Sequence, residues 1–329
     1  MIVVSDARLA ILLCVLTMLG WGSWANMQKA SDRDAWPFPL FYWDYTIGVF
    51  LFALVAWFGM HFSGESALTG FRLVNSISLI HGFISGVLFN IANLLLVVAI
   101  DATGMAVAFP LGIGLALIIG TVISYIESPR GNPVLIALGV LLILAAMLLS
   151  AAAHRRSDLG RTSNGAGGPI FAIVAGCLMG LFYPQLALAI SPKVQAGHLS
   201  SHNLPPLAAL LTFSIGVLVS NAVINTILMR TQGIQYSHFL GGRVGTHVWG
   251  LLGGAIWMFA LACNLFASSA AGPAISYALG QGATLVAALW GVFVWKEFRS
   301  ASEGTERLVA LMLGCYAAGL VLIGAATFY

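Results

Sequence analysis

What this chain has least of is charge. Only 8% of its 329 residues are Asp, Glu, Lys or Arg, against roughly 25% in soluble domains. Too little charge is available to cover a water-facing surface, so a soluble globular fold is excluded. The Lys and Arg residues are dispersed singly between apolar segments and the net charge is only +3, which argues against a nucleic-acid partner. Cysteine is scarce as well. Cys14, Cys177, Cys263 and Cys315 all lie inside apolar segments, where structural disulfides are not expected. Enzyme signatures are missing: the seven histidines show no metal-ligand spacing, there is no P-loop, and no Cys or Ser has a sequence-local partner to activate it. Neither enzymatic activity nor a cofactor or metal is expected. Residues Met1 to Ala7 carry no basic cluster or small-residue cleavage pattern, so the first apolar run is expected to be a retained helix.

What is there in abundance is apolar length: 60% of the chain is hydrophobic. Ten stretches are long enough to cross a bilayer, which takes about 20 residues of helix. They lie at 9–28, 39–63, 78–100, 103–126 and 133–153, then at 168–190, 205–229, 247–267, 270–295 and 307–327. An all-α, multi-pass membrane protein is expected. The polar stretch 154–167 divides the chain into 1–153 and 168–329, five spans on each side.

A shift of 168 residues superimposes the two parts. Ile47-Gly48-Val49 falls on Ile215-Gly216-Val217, and Gly82, Gly86, Gly104, Gly112 and Gly114 fall on Gly250, Gly254, Gly272, Gly280 and Gly282. These are six glycine coincidences, where about one is expected by chance. Because each repeat has an odd number of spans, the second copy should enter the membrane in the opposite orientation. Secondary transporters recurrently use inverted repeats of this kind, with the solute held near the midplane between them. Lys29, Arg33, Arg155, Arg156, Arg161, Arg230, Arg243, Lys296, Arg299 and Arg307 follow odd-numbered spans. Only Arg8, Arg72, Arg130 and Lys193 lie on the other side. The excess marks the cytoplasmic side and puts both termini outside the cytoplasm.

Differences between the copies are the best guide to chemistry, since a shared scaffold needs similar packing in both and a single solute does not. Asp44 corresponds to Thr212, and Asn90 and Asn93 correspond to Met258 and Leu261. In the other direction Tyr277, Gln281 and Thr284 correspond to Phe109, Ile113 and Ala116. An ionised carboxylate inside a spanning helix costs about 2.5–3.5 kcal/mol on insertion scales unless it meets a partner or a watery cavity. Asp44, opening the second span with Phe41-Tyr42-Trp43 before it and Tyr45 after it, is therefore the candidate proton-coupling group. Its other reading is a hydrated interfacial residue, about one turn in from the cytoplasmic boundary.

Asn93 and Gln281 suit the polar groups of a neutral solute, or else join helices; Asn90, Asn221 and Asn225 favour the joining role. Trp24, Tyr45, Tyr183, Tyr277 and Thr284 complete the candidate binding set. Trp21, Trp24 and Gln28 share a helical face by spacing, near Gly20 and Gly22, and Tyr183 is followed by Pro184. An indole face can stack on a sugar ring or a planar ureide, while Trp at the membrane interface is also commonplace.

Gly20-Trp21-Gly22-Ser23-Trp24, Phe41-Tyr42-Trp43-Asp44-Tyr45, Asn93-Leu94, and the run from Gln281 through Trp290-Gly291-Val292 to Glu297-Phe298-Arg299 resemble the plant ureide permeases. The last run also resembles the bacterial glucose/ribose uptake family. Both belong to the drug/metabolite transporter superfamily, built from ten helices by duplication of a five-helix unit. The resemblance covers nearly the whole chain. It implies proton-coupled uptake of a small polar solute, with Asp44, Asn93 and Gln281 at matching motif positions. The plant permeases carry a long central loop with a nucleotide-binding-like motif. Here only the short Arg155 to Gly167 stretch stands in its place, so no ATP-linked regulation carries over. The expectation is a proton-coupled symporter of a sugar or an allantoin-like ureide in a cell membrane. The alternatives are an exporter of metabolites or drugs and a non-transporting scaffold or receptor.

Overall fold

The computed structural model describes residues 4–31, 36–62, 76–157, 167–190, 204–296, 298 and 303–329. Most of the polar stretch between the repeats, 158–166, lies outside the described residues, as do Arg33, Arg72, Arg161, Lys193, Glu297 and Arg299. The described residues are all-helical, with ten helices long and apolar enough to cross a membrane.

The first span is two helices, α1 (Ala7–Ser23) and α2 (Ala25–Ser31), followed by α3 (Phe38–Phe62), α4 (Ser76–Thr103), α5 (Met105–Glu127) and α6 (Pro133–Ser157). The second set comprises α7 (Gly168–Ile190), α8 (Pro206–Thr231), a short α9 (Tyr236–Leu240) and α10 (Val244–Ala271). The ninth span is again divided, into α11 (Pro273–Gly280), α12 (Ala283–Leu289) and a π-helical turn at Trp290–Val294, and α13 (Thr305–Ala325) is the last crossing. Prolines start several of these helices at positions where no backbone N–H is needed, as Pro206 does for α8 and Pro273 for α11. Asn132 caps α6 by accepting the amides of Val134 and Leu135. Gly104 and Gly272, equivalent under the 168-residue shift, have φ of 76° and 84° and turn the chain directly from one span into the next.

Two compact units account for the contacts. The first is built from Ser23–Ile91 and Gln185–Cys263, the second from Val3–Gly22, Ala92–Pro184 and Asn264–Tyr329. The chain thus passes from one to the other inside α4, α7 and α10 and near the break between α1 and α2, so each sequence repeat contributes to both units.

In the first unit the repeat is legible in atomic contacts. A Cβ added to Gly250 would sit 2.3 Å from Asp44 Cβ, one added to Gly254 2.0 Å from the Tyr45 carbonyl oxygen, and one added to Gly48 2.2 Å from that of Leu251. Subtracting or adding 168 gives the second interface. There Gly82 would meet Thr212 Oγ1 at 2.2 Å, Gly86 the Phe213 carbonyl at 2.0 Å and Gly216 that of Phe83 at 2.1 Å. Glycines at these positions let α3 pack on α10, and α4 on α8, with backbones touching, the way small residues bring membrane helices together. Two hydroxyls follow the same rule: Thr46 donates to the Trp43 carbonyl and Ser214 to that of Leu211. The α3–α8 pair is tied by Asn221, which donates to Thr46 Oγ1, and by Asn225, which donates to the Pro39 carbonyl.

In the second unit α6 packs along α13, with Gly139 and Gly319 each lying against the other's carbonyl oxygen. Leu117, Ile143, Met147, Ile275, Met312 and Ile323 form its apolar core. Large apolar side chains such as Leu138, Leu141 and Leu148 on α6 remain exposed, as a helix facing lipid requires.

Candidate functional site

Within the first unit Asp44 sits on the seventh residue of α3, and its neighbours leave it almost no solvent: its side chain is 3% exposed. Gly250 presses against its Cβ. Such a carboxylate requires a partner, and the partner is His247, in the first turns of α10, one helical turn ahead of Gly250. Nδ1 of His247 and Oδ1 of Asp44 are 2.7 Å apart, the distance of a charge-assisted hydrogen bond. The imidazole is held edge-on by two aromatic rings. Trp36 lies 5.2 Å from it at 79° and Phe239, on α9, 4.8 Å from it at 78°. Trp36 Nε1 also lies near the carboxylate, outside hydrogen-bond geometry, and Asp44 Oδ2 has no hydrogen-bond partner among the described residues. Gly242 backs onto the far nitrogen: a Cβ there would be 2.6 Å from His247 Nε2.

Beside this pair runs an aromatic column. Trp24 packs on Tyr45 with ring centroids 4.8 Å apart, Tyr45 stacks on Tyr42 at 5.3 Å, and Tyr42 on Phe38 at 5.3 Å. The i, i+4 and i+7 spacing of Phe38, Tyr42 and Tyr45 on α3 builds it. Trp24 occupies the single non-helical position between α1 and α2, so the expected common face of Trp21, Trp24 and Gln28 is interrupted at its middle member. Tyr45 is fully buried and its hydroxyl has no partner among the described residues. Asn90 is also fully buried, and neither amide atom is bonded to any described residue. The helix-joining role expected of Asn90 is therefore not observed, whereas Asn221 and Asn225 do join helices.

The second unit has its own polar cluster. Tyr183 Oη and Ser276 Oγ are 2.9 Å apart, and Asn264 donates to the Ser276 carbonyl at 2.8 Å. Tyr277 packs on Tyr183 with centroids 5.0 Å apart and donates its hydroxyl to the Ala116 carbonyl of α5 at 3.2 Å. Gly120 makes room for that ring, since a Cβ would lie 2.3 Å from Tyr277 Cε1. Tyr277→Phe should lower the melting temperature of the detergent-purified protein, losing about 1 kcal/mol for one neutral hydrogen bond. An unchanged melting curve would show that the bond does not form. Asn93 is buried on α4.

Gln281 stands at the break of the ninth span. The amides of Gly282, Thr284 and Leu285 reach back three residues, to Leu279, Gln281 and Gly282, instead of the four of an α-helix. Thr284 Oγ1 folds back onto the Gln281 carbonyl at 2.9 Å. The equivalent helix of the first repeat, α5, runs unbroken through Ile113 and Gly114. Discontinuous helices of this kind are where transporters expose backbone groups to cargo. Downstream, the Trp295 amide bonds Trp290 five residues back, a π turn of the sort that marks hinges.

Trp24, Asp44 and Tyr45 thus lie in one unit, and Asn93, Tyr183, Tyr277, Gln281 and Thr284 in the other, where Tyr183 and Tyr277 are in contact. The structure adds His247, Asn264 and Ser276. Under the repeat these three correspond to Leu79, Leu96 and Ala108, so the comparison of copies that singled out Asp44 also carries their signal.

The family described as Sugar transport protein matches residues 12–327. A sugar uptake protein by name from Listeria monocytogenes serovar 1/2a (lmo0424) is 24% identical, the alignment covering 92% of this chain and 94% of that protein. A similarly named protein of Enterococcus faecalis is 23% identical over 93% and 95%. A solved crystal structure shares the fold with a TM-score of 0.59 at 17% identity, over 95% of this chain and 96% of that one. With ten membrane-length helices and a family match that spans nearly its whole length, the chain is a multi-pass membrane protein and belongs to the sugar transport protein family.

Proposed function

We propose that this chain imports a sugar by proton-coupled symport, through alternating access of two inverted five-helix repeats with both termini outside the cytoplasm. The observation that carries the reading is the pairing of the buried Asp44 with the half-buried His247, present in one copy of a duplicated interface and replaced by Thr212 and Leu79 in the other. Ionisable groups in spanning helices mark ion pathways far more often than structural joints. The family match and the names of the relatives favour a sugar over a ureide. In this reading Trp24 and Tyr45 offer ring faces to the solute. Asn93 and Gln281 bind its polar groups, and Tyr183, Tyr277 and Thr284 shape the region around the broken ninth span.

The test is transport in proteoliposomes with an inward proton gradient and a panel of pentoses, hexoses and ureides. At least one sugar should accumulate above its external concentration, and a protonophore should abolish the accumulation. Uptake that proceeds unchanged with the protonophore would remove proton coupling. Accumulation of a ureide alone would move the solute class.

A further inference from the structure

We propose that the coupling proton is carried on the imidazole of His247, with Asp44 as its fixed counter-ion. This rests on the proton-coupled reading above and goes beyond it in naming the atom that binds the proton. The first observation is access. The Asp44 side chain is 3% exposed whereas that of His247 is 23% exposed, so the imidazole keeps an open edge and the carboxylate has almost none. The second is orientation. The 2.7 Å contact to Oδ1 uses Nδ1, and the rings of Trp36 and Phe239 hold the imidazole plane edge-on from two sides, so Nε2 is the nitrogen left for exchange.

The third is the repeat itself. At the equivalent interface Thr212 satisfies its own hydroxyl on the Ala209 carbonyl, and Leu79 stands where His247 would be. The same glycine-lined packing therefore forms without any ionisable pair. A buried ion pair is seldom more stable than an apolar replacement, and here that replacement exists within the same chain. Packing does not account for the pair.

The proton step balances simply. With the carboxylate ionised, Nδ1–H donates to Oδ1 and Nε2 holds a lone pair. A proton from hydronium forms one new N–H bond at Nε2 and leaves water behind. No bond within the protein breaks, and the product is an imidazolium–carboxylate pair. Release is the reverse, with the Nε2–H proton passing to water. The carboxylate fixes the tautomer and stabilises the cation, the division of labour seen wherever an Asp orients a working His. Other titratable groups on the elements packed around the imidazole are Tyr42 and Tyr45 on α3, both buried, and Tyr236 and His238 on α9, Arg243 one turn ahead of it and Lys29 on α2, all four exposed.

The experiment compares wild type, His247→Gln and Asp44→Asn for sugar accumulation in proteoliposomes across external pH, with counterflow measured in parallel. His247→Gln should accumulate at least about tenfold less sugar at every pH, while counterflow, which needs no net proton movement, persists at a measurable rate. Asp44→Asn should retain a measurable part of the accumulation that His247→Gln loses, because the imidazole can still take up the proton without its counter-ion. The proposal is overturned if His247→Gln accumulates like wild type, or if Asp44→Asn stays inactive at every pH while counterflow persists. Should His247→Gln fail to fold, Gly242→Ala places a methyl 2.6 Å from both Nε2 and Trp36 Cη2, displacing the imidazole and the ring that holds it, and unaltered proton-driven uptake by that variant would equally sink it. Wild-type uptake insensitive to a protonophore would instead defeat the underlying symport reading.

Discussion

Gly254→Val and Gly86→Val each abolish accumulation of the folded protein in the membrane, whereas Gly245→Val and Gly314→Val leave it close to wild type. A Cβ at Gly254 would lie 2.0 Å from the Tyr45 carbonyl oxygen and 2.7 Å from the Val49 amide nitrogen. At Gly86 the corresponding distances are 2.0 Å to the Phe213 carbonyl oxygen and 2.9 Å to the Val217 amide nitrogen. These are backbone atoms, so no rotamer change relieves the overlap and the two helices must separate. Overpacking alone costs about 1–3 kcal/mol where side chains can shift, and more is expected where they cannot. Domains have only about 5–15 kcal/mol of stability in total. Gly245 and Gly314 have nothing within 4 Å of an added Cβ and serve as controls. Fluorescence-detected size exclusion and melting curves of the four variants decide the matter. Wild-type melting of Gly254→Val would mean that α3 and α10 do not pack as described.

The helices were legible because lipid imposes a simple rule: a span must be about 20 apolar residues and must bond its own backbone. The observed spans begin and end within a few residues of the apolar runs. What the runs do not show is where a span is internally broken. Trp24 and Gln281 sit in stretches whose hydropathy is continuous, and the departures at both positions are backbone events of one or two residues. Glycine spacing carried more than hydropathy did, because a glycine is recognisable in sequence and marks a close helix approach in structure. Gly48, Gly82, Gly86, Gly216, Gly250 and Gly254 all mark such approaches, in two interfaces of matching register.

The candidate site was half legible. Asp44 stood out as a charge in an apolar segment. His247 lies 203 residues away with no local mark of its role, and pairing across that distance depends on which faces of α3 and α10 meet. The same holds for Asn264 and Ser276, whose contacts with each other and with Tyr183 are made between helices. Asn90 shows the opposite failure. Its type and position fit a residue that ties helices together, yet it is buried with both amide atoms unbonded among the described residues, and only the packing around it reveals that.

Gly250→Ala reduces proton-driven accumulation by about tenfold or more, a loss on the scale that small misplacements of working groups produce, while Gly82→Ala leaves it near wild type. The two glycines are equivalent under the repeat, which makes each the control for the other. At Gly82 the added methyl meets Thr212 Oγ1 at 2.2 Å, with the next atom, Thr212 Cβ, at 3.1 Å. The threonine can rotate, giving up its bond to the Ala209 carbonyl at a cost of about 1 kcal/mol. At Gly250 the methyl meets Asp44 Cβ at 2.3 Å, an atom fixed to the backbone of α3, with the Phe41 carbonyl at 3.1 Å behind it. No rotation removes that overlap, so α3 moves, and Asp44 moves with it relative to His247 on the helix that carries the new methyl. A hydrogen bond of 2.7 Å loses most of its strength over a displacement of about 1 Å. Both variants lower the melting temperature, Gly250→Ala by more. Wild-type accumulation by both would show that the Asp44–His247 geometry is irrelevant to transport. Loss in Gly82→Ala as severe as in Gly250→Ala would show that the scaffold, and not the pair, is what the methyl disturbs.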